Sequence, residues 1–253
     1  MILVALLSGT SFAFDVGGLQ PVSPNGIFSV FSTESVPQKK FSFELGAERS
    51  RDPNYYRFSV KGAYGISDFT EFDITFPYIN GFNDSSDGME DIALGLKHRF
   101  YDEGKYGPSL AYLLNVSLPT GKDNFSTEGR AGGGLIVTKR VGPFKGNLNF
   151  IYEKPFTGRL KDEITFSAGI EFSAAHNFQL LGELFTRKGH ESDKYDEMEA
   201  SFGYRLKTLE HIYTTLGVGV DLRKRTPDYR VLLSVGFSPS PAKQQIRKVY
   251  EEE

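Results

Sequence analysis

The sequence predicts an all-β protein: a transmembrane antiparallel up-and-down β-barrel of about 12 strands. Three observations predict it. Apolar and polar residues alternate over long stretches, as in "ITFSAGIEFSAAHNFQLLGELFTR" at 164–187. Many of the alternating segments run to about ten residues or more, whereas strands of soluble sheets centre near five or six. The connections also alternate in character, mostly longer and more charged ones taking turns with shorter ones, as two different barrel rims would require.

Twelve such segments follow residue 39, at about 40–49, 55–67, 69–80, 89–101, 107–120, 128–142, 144–154, 161–175, 177–188, 195–207, 210–224 and 228–238. In the second, Tyr56, Phe58, Val60 and Tyr64 oppose Arg57, Ser59, Lys61 and Ala63. The fourth sets Ile92, Leu94, Leu96, His98 and Phe100 against Asp91, Ala93, Gly95, Lys97 and Arg99. In the fifth, Leu110, Tyr112, Leu114, Val116 and Leu118 oppose Ala111, Leu113, Asn115, Ser117 and Pro119. The last sets Val231, Leu233, Val235 and Phe237 against Arg230, Leu232, Ser234 and Gly236. The apolar faces stay largely free of charge. A bilayer maintains such a face, because Arg or Lys at its midplane costs about 2–4 kcal/mol in a barrel. Sustained helical periodicity is absent, so the strands join as antiparallel neighbours. No run of apolar residues is long enough for a membrane-spanning helix.

After the first, third, fifth, seventh, ninth and eleventh segments stand "RDPN", "GFNDSSDG", "GKDNFSTEG", "KPFTGRLKD", "KGHESDK" and "KRTPD". The intervening turns are shorter, such as "GPF" and "AHN", with "YDEGKYG" intermediate. An even strand count returns both chain ends to one rim, the periplasmic one. The barrel is thereby assigned to residues 40–238 of a bacterial cell outer membrane, and residues 239–253 to a periplasmic tail. The first 13 residues, ending Ser11-Phe12-Ala13, read as a signal peptide cleaved after Ala13, although no basic residue precedes the apolar run. Residues 14–39 are turn-rich and read as an N-terminal periplasmic segment or plug; an extra edge strand is the other possibility.

The polar phase gives the lumen-lining candidates. They are Glu71, Asp73, Asp91, Lys97, Arg99, Asn115, Asn147, Asn149, Glu171, Glu183, Arg187, Glu199, Arg205, Asp221 and Arg230. Glu44, Glu48, Glu153, Glu197, Arg57, Lys61 and Arg223 share that phase. Both signs are nearly balanced, which argues against steep ion selectivity; these charges also serve to pair across the lumen and stiffen it. Gly132, Gly133 and Gly134, with Gly217 and Gly219, mark either strand curvature or a close approach by a loop, the N-terminal tail or a ligand.

Composition narrows the function. The 253 residues carry 29 basic and 32 acidic side chains, so nothing predicts a nucleic-acid partner. There is no Cys, and no close-spaced His set suggests a metal. No catalytic residue and no cofactor is assigned. Only His98 of the four histidines lies within a strand, without a serine placed beside it, so an outer-membrane hydrolase is the weakest reading.

"DIALGLKHRF" at 91–100, "GPSLAYLLNVSLPTG" at 107–121 and "KGNLNFIY" at 145–152 resemble the outer-membrane MetA-pathway phenol-degradation family, whose members are regarded as transporters. The resemblance covers roughly 40–238, and its local marker is Pro119, Thr120 and Gly121, with Asp91 and Lys97 before it. It implies a barrel concerned with uptake of hydrophobic or aromatic compounds. The sequence departs from the usual outer-membrane pattern by running past the aromatic Phe237 of the last strand. The expected function is a porin-like channel or transporter for passive passage of small, hydrophobic or aromatic molecules. Its partners would be the bilayer with its outer-leaflet lipids, the outer-membrane insertion machinery and a small-molecule solute. A structural barrel with a filled lumen is the alternative.

Overall fold

A computed structural model describes residues 17–82, 86–122, 125–189, 194–195, 197–223 and 227–239. The predicted signal peptide and all but the first residue of the tail lie outside these residues. The strands are β1 (Phe41–Arg51), β2 (Tyr55–Ser67), β3 (Thr70–Phe82), β4 (Ser86–Met89), β5 (Ala93–Tyr101), β6 (Ser109–Ser117) and β7 (Arg130–Val141). They continue as β8 (Phe144–Pro155), β9 (Glu163–Ala175), β10 (Phe178–Lys188), β11 (Glu197–Leu209), β12 (Ile212–Asp221) and β13 (Tyr229–Phe237).

Each strand pairs antiparallel with its neighbours, and β1 pairs with β13 from Phe43↔Phe237 to Arg51↔Tyr229. That seam closes the sheet and leaves no edge along the wall, the condition for spanning hydrocarbon with strands. Twelve strands form the wall. The thirteenth, β4, is a short piece that continues the β5 track: β3 pairs with β5 over Thr70–Thr75 and with β4 over Tyr78–Phe82. Most of β4 thus falls in "GFNDSSDG", which the sequence reading took as a connection, and the fourth segment, read as one strand from residue 89, is a wall strand only from Ala93. The backbone leaves the ladder at Glu90–Ile92, where both carboxylates turn inward.

Strand phase is inverted relative to a soluble protein. Phe58, Leu114, Leu148 and Phe202 are 47%, 54%, 57% and 65% exposed, while Lys97, Arg130 and Arg205 are at most 1% exposed. Leaving one large apolar side chain in water costs about 1.5–3 kcal/mol. A belt of dozens is stable only against lipid, so the barrel spans a membrane. Two-residue turns at 68–69, 142–143, 176–177 and 210–211 mark one rim, with 102–108 the longer exception. The other rim carries 118–129, 156–162, 189–196 and 222–228, and the β1–β2 and β3–β4 connections are short there.

Candidate functional site

The barrel interior is occupied by residues 17–36. The chain enters at the short-turn rim, where Lys39 N donates to Gly65 O and Gln38 N to Asp68 Oδ1. It folds into a small hairpin, with Ile27 N donating to Val30 O and Ser32 N to Asn25 O, and reaches the loop rim, where Gly17 N donates to Glu90. Such irregular backbone is tolerable at membrane depth only inside protein, and wall side chains meet its polar groups. Glu71 accepts from Val36 N at 2.7 Å, Thr138 Oγ1 from Thr33 N at 2.9 Å, and Glu44 from Ser23 N at 2.9 Å. Asn149 reads both groups of Phe31, accepting from its N at 2.7 Å and donating to its O at 2.9 Å. Glu183 receives the backbone N–H groups of Phe28, Ser29 and Val30 and the hydroxyl of Ser29. Arg205 donates to Gly26 O at 2.6 Å and Lys61 to Pro21 O at 3.2 Å.

The segment's apolar side chains seat in notches left by glycines. A Cβ on Gly217 or Gly203 would strike the ring of Phe28, one on Gly169 would strike Ile27, and one on Gly95 would strike Leu19. Gly217 thus faces the N-terminal tail. Gly219 instead makes room for Glu199, and Gly132 and Gly134 for the adjoining β8 backbone.

Around the segment the charged candidates form networks. Lys97 pairs with Glu71 at 2.6 Å. Glu171 binds Lys145 at 2.7 Å and Arg205 at 3.5 Å, and accepts from Asn147. Arg230 bridges Glu199 at 2.6 Å and Glu48 at 3.3 Å. Arg187 pairs with Glu197 and reaches Glu163 at 3.9 Å. Asn115 donates to Glu153, which lies 3.4 Å from Arg130. Asp73 is buried between Ala63 and Gly95 on the neighbouring strands, and its Oδ2 accepts no hydrogen bond. Three candidates stand apart. Arg99 is half-buried at the short-turn rim and pairs with Asp102; Asp221 ends β12 at the loop rim; Arg223 lies beyond β12, exposed, donating to Tyr195 O. The sequence reading placed Arg223 inside, but the strand stops before it.

Asp91 holds a loop. Its carboxylate accepts from Gly121 N, Ser126 Oγ, Thr127 N and Thr127 Oγ1 at 2.7–3.0 Å. Thr120 Oγ1 accepts from Ile92 N, and Phe125 packs with Tyr55, Ile79 and Phe82. Pro119-Thr120-Gly121 is thus the hinge that folds the β6–β7 connection against the wall. Four interior charges escaped the sequence reading: Glu90, Arg130, Lys145 and Glu163, all buried. Lys145 shares the phase of Asn147 and Asn149, and Glu163 that of Thr165 and Ser167, so strict alternation would have found both.

Two solvent-reaching cavities flank the segment. One, of about 70 Å³, lies against β1, β2, β12 and β13 and is lined by Glu44, Glu48, Lys61 and Arg230. The other, of about 110 Å³, lies against β6, β8, β9 and β10 and mixes Leu113, Ile151, Phe31 and Phe185 with Asn115 and Arg187. Among the described residues no group of three or more acidic or His side chains is placed to hold a metal. His98 faces outward, with Nδ1 2.8 Å from Thr70 Oγ1 and its ring against Tyr112. His190 lies outside the described residues.

A family model described as "Putative MetA-pathway of phenol degradation" matches residues 25–225. Among solved structures, the COG4313 outer membrane channel from Pseudomonas putida F1 is similar with a TM-score of 0.62 and 11% identity, over 81% of this chain and 97% of that one. The NanC porin is similar with a TM-score of 0.60 and 7% identity, over 79% of this chain and 100% of that one. The KdgM porin gives 0.58 and 12%, over 78% and 98%. Identities this low speak for the fold. No curated protein sequence matches the chain.

Proposed function

Because the chain belongs to the MetA-pathway phenol-degradation family, we propose that this outer-membrane barrel is a passive channel for small molecules, narrowed by its own residues 17–36. The observation that carries this reading is the pair of solvent-reaching cavities between that segment and the wall. The segment is held by hydrogen bonds and side-chain seating and adds no strand to the wall, so it acts as a plug around which solutes pass.

The interior charges are nearly all matched, which favours weak discrimination between small anions and cations. The second cavity is lined by Ile151 and Phe185 beside Asn115 and Arg187, with the buried Phe31 and Leu113 packed behind. Sites that hold small organic molecules have this mixture: apolar walls with a few placed polar groups. It supports small hydrophobic or aromatic solutes with one polar end. The family's description points the same way.

In planar bilayers the purified chain should give discrete current steps. Silence at all voltages would favour the second reading, a structural barrel with a filled lumen, for which the many hydrogen bonds between residues 17–36 and the wall are the supporting observation. In liposomes, an aromatic solute should enter faster than a sugar of similar mass. Equal rates would remove the solute class while leaving the channel.

A further inference from the structure

Among the described residues the interior arginines have carboxylate partners, whereas Arg49 and Arg51 on the outer wall do not. Arg49 and Arg51 occupy the lipid-facing phase of β1 at its loop-rim end, and both are exposed. Among the described residues neither makes an ion pair. The Arg49 guanidinium lies 5.4 Å from the ring centroid of Tyr56 on β2. That of Arg51 lies 5.7 Å from the ring of Tyr229 on β13 and donates to its hydroxyl at 3.2 Å. Asp52 and Asp228 are near Arg51 but beyond ion-pair reach. Alternate residues of a strand are about 6.6 Å apart, so the two cations form a short outward-facing fork held on two tyrosines. Directly below, toward the membrane centre, the surface turns apolar with Phe58, Val231 and Leu233 exposed.

We propose that Arg49 and Arg51, steadied by Tyr56 and Tyr229, bind a phosphate of an outer-leaflet phosphoglycolipid whose acyl chains lie along Phe58 and Val231. Three features support this occupant. The rim is the one with the long loops, hence the external one. Guanidinium forks match phosphate oxygens bidentately, and the tyrosine faces limit the side-chain freedom lost on binding. The adjoining apolar strip distinguishes a lipid from a free anion, which would have no use for it. The site stands on the outer wall and does not depend on whether the lumen conducts.

The test uses the full chain in detergent micelles and native mass spectrometry, with hexa-acylated bisphosphorylated lipid A as probe. The wild type should retain the lipid, and Arg49→Ala with Arg51→Ala should bind it about tenfold more weakly. Replacing both by lysine should give intermediate affinity, since charge remains and the fork is lost. Arg159→Ala, which removes an exposed arginine already paired with Glu128, should leave binding unchanged. Should the alanine pair fail to close as a barrel on heat-modifiable gels, the lysine pair decides. Wild-type affinity in the variant that decides would overturn the proposal. So would equal binding of a dephosphorylated lipid with the same acyl chains, which would show a merely apolar surface. Displacement by millimolar inorganic phosphate would show a small-anion site instead. Conductance of the alanine pair should match the wild type, so a closed channel and an absent lipid site give separate results.

Discussion

At Asp91 one buried carboxylate receives four hydrogen bonds from the far side of the β6–β7 connection, and no other described residue substitutes for it there. Its removal strands four donors and frees the loop from the wall. Asp91→Ala should cost about 1–3 kcal/mol locally, read as faster protease cleavage between residues 118 and 129 in intact membranes while the barrel still migrates as folded. An unchanged cleavage rate would show that the packing of Phe125 and the bonds at Thr120 and Lys122 hold the loop without Asp91. The sequence exposed Asp91 and the Pro-Thr-Gly stretch as marked positions, yet alternation assigned Asp91 to the lumen wall. The carboxylate does point inward, but it bonds to a loop some thirty residues away, a partnership that no periodicity encodes. Arg130 was hidden for a related reason: its nearest phase-mates, Gly132, Gly134 and Ile136, carry no charge, and the polar Thr138 and Arg140 come only at the far end of the strand.

Among the elements, the strands were legible, whereas for residues 14–39 a plug was only one of the readings and its path could not be read. A strand's phase repeats every two residues and declares itself within a few positions; the twelve segments accordingly fall on the observed wall, apart from the break at Glu90–Ile92. Residues 17–36 have one short hairpin of their own and draw many of their hydrogen bonds from side chains on β1, β3, β7, β8 and β10. Their path is a property of the closed barrel. The glycine notches give a handle on it. Gly217→Leu places a side chain where the ring of Phe28 sits, and a packed core displaced in this way loses about 1–3 kcal/mol. The expected result is a loosened hairpin at 26–31, seen as larger or more frequent current steps than in the wild type. Identical single-channel traces would mean that the plug does not limit passage.

On the scale of the whole molecule, the two faces of each strand obey different solvents, and a single substitution can compare them. Leu233 stands midway along β13 and faces lipid, while its neighbour Ser234 faces inward. Leu233→Arg should destabilise the barrel by about 2–4 kcal/mol in urea unfolding from lipid vesicles. Ser234→Asn should change little, and equal effects would contradict the assigned faces. The seam between β1 and β13 has a further consequence. Residues 17–36 directly precede β1, and β1 bonds to the last strand made. Drawing twenty residues lengthwise through a finished cylinder would strip every one of their anchoring contacts. A sheet that curls around them before its first and last strands meet needs no such passage. The segment then serves as a mandrel, and the girth of the wall is fitted to what it was wrapped upon.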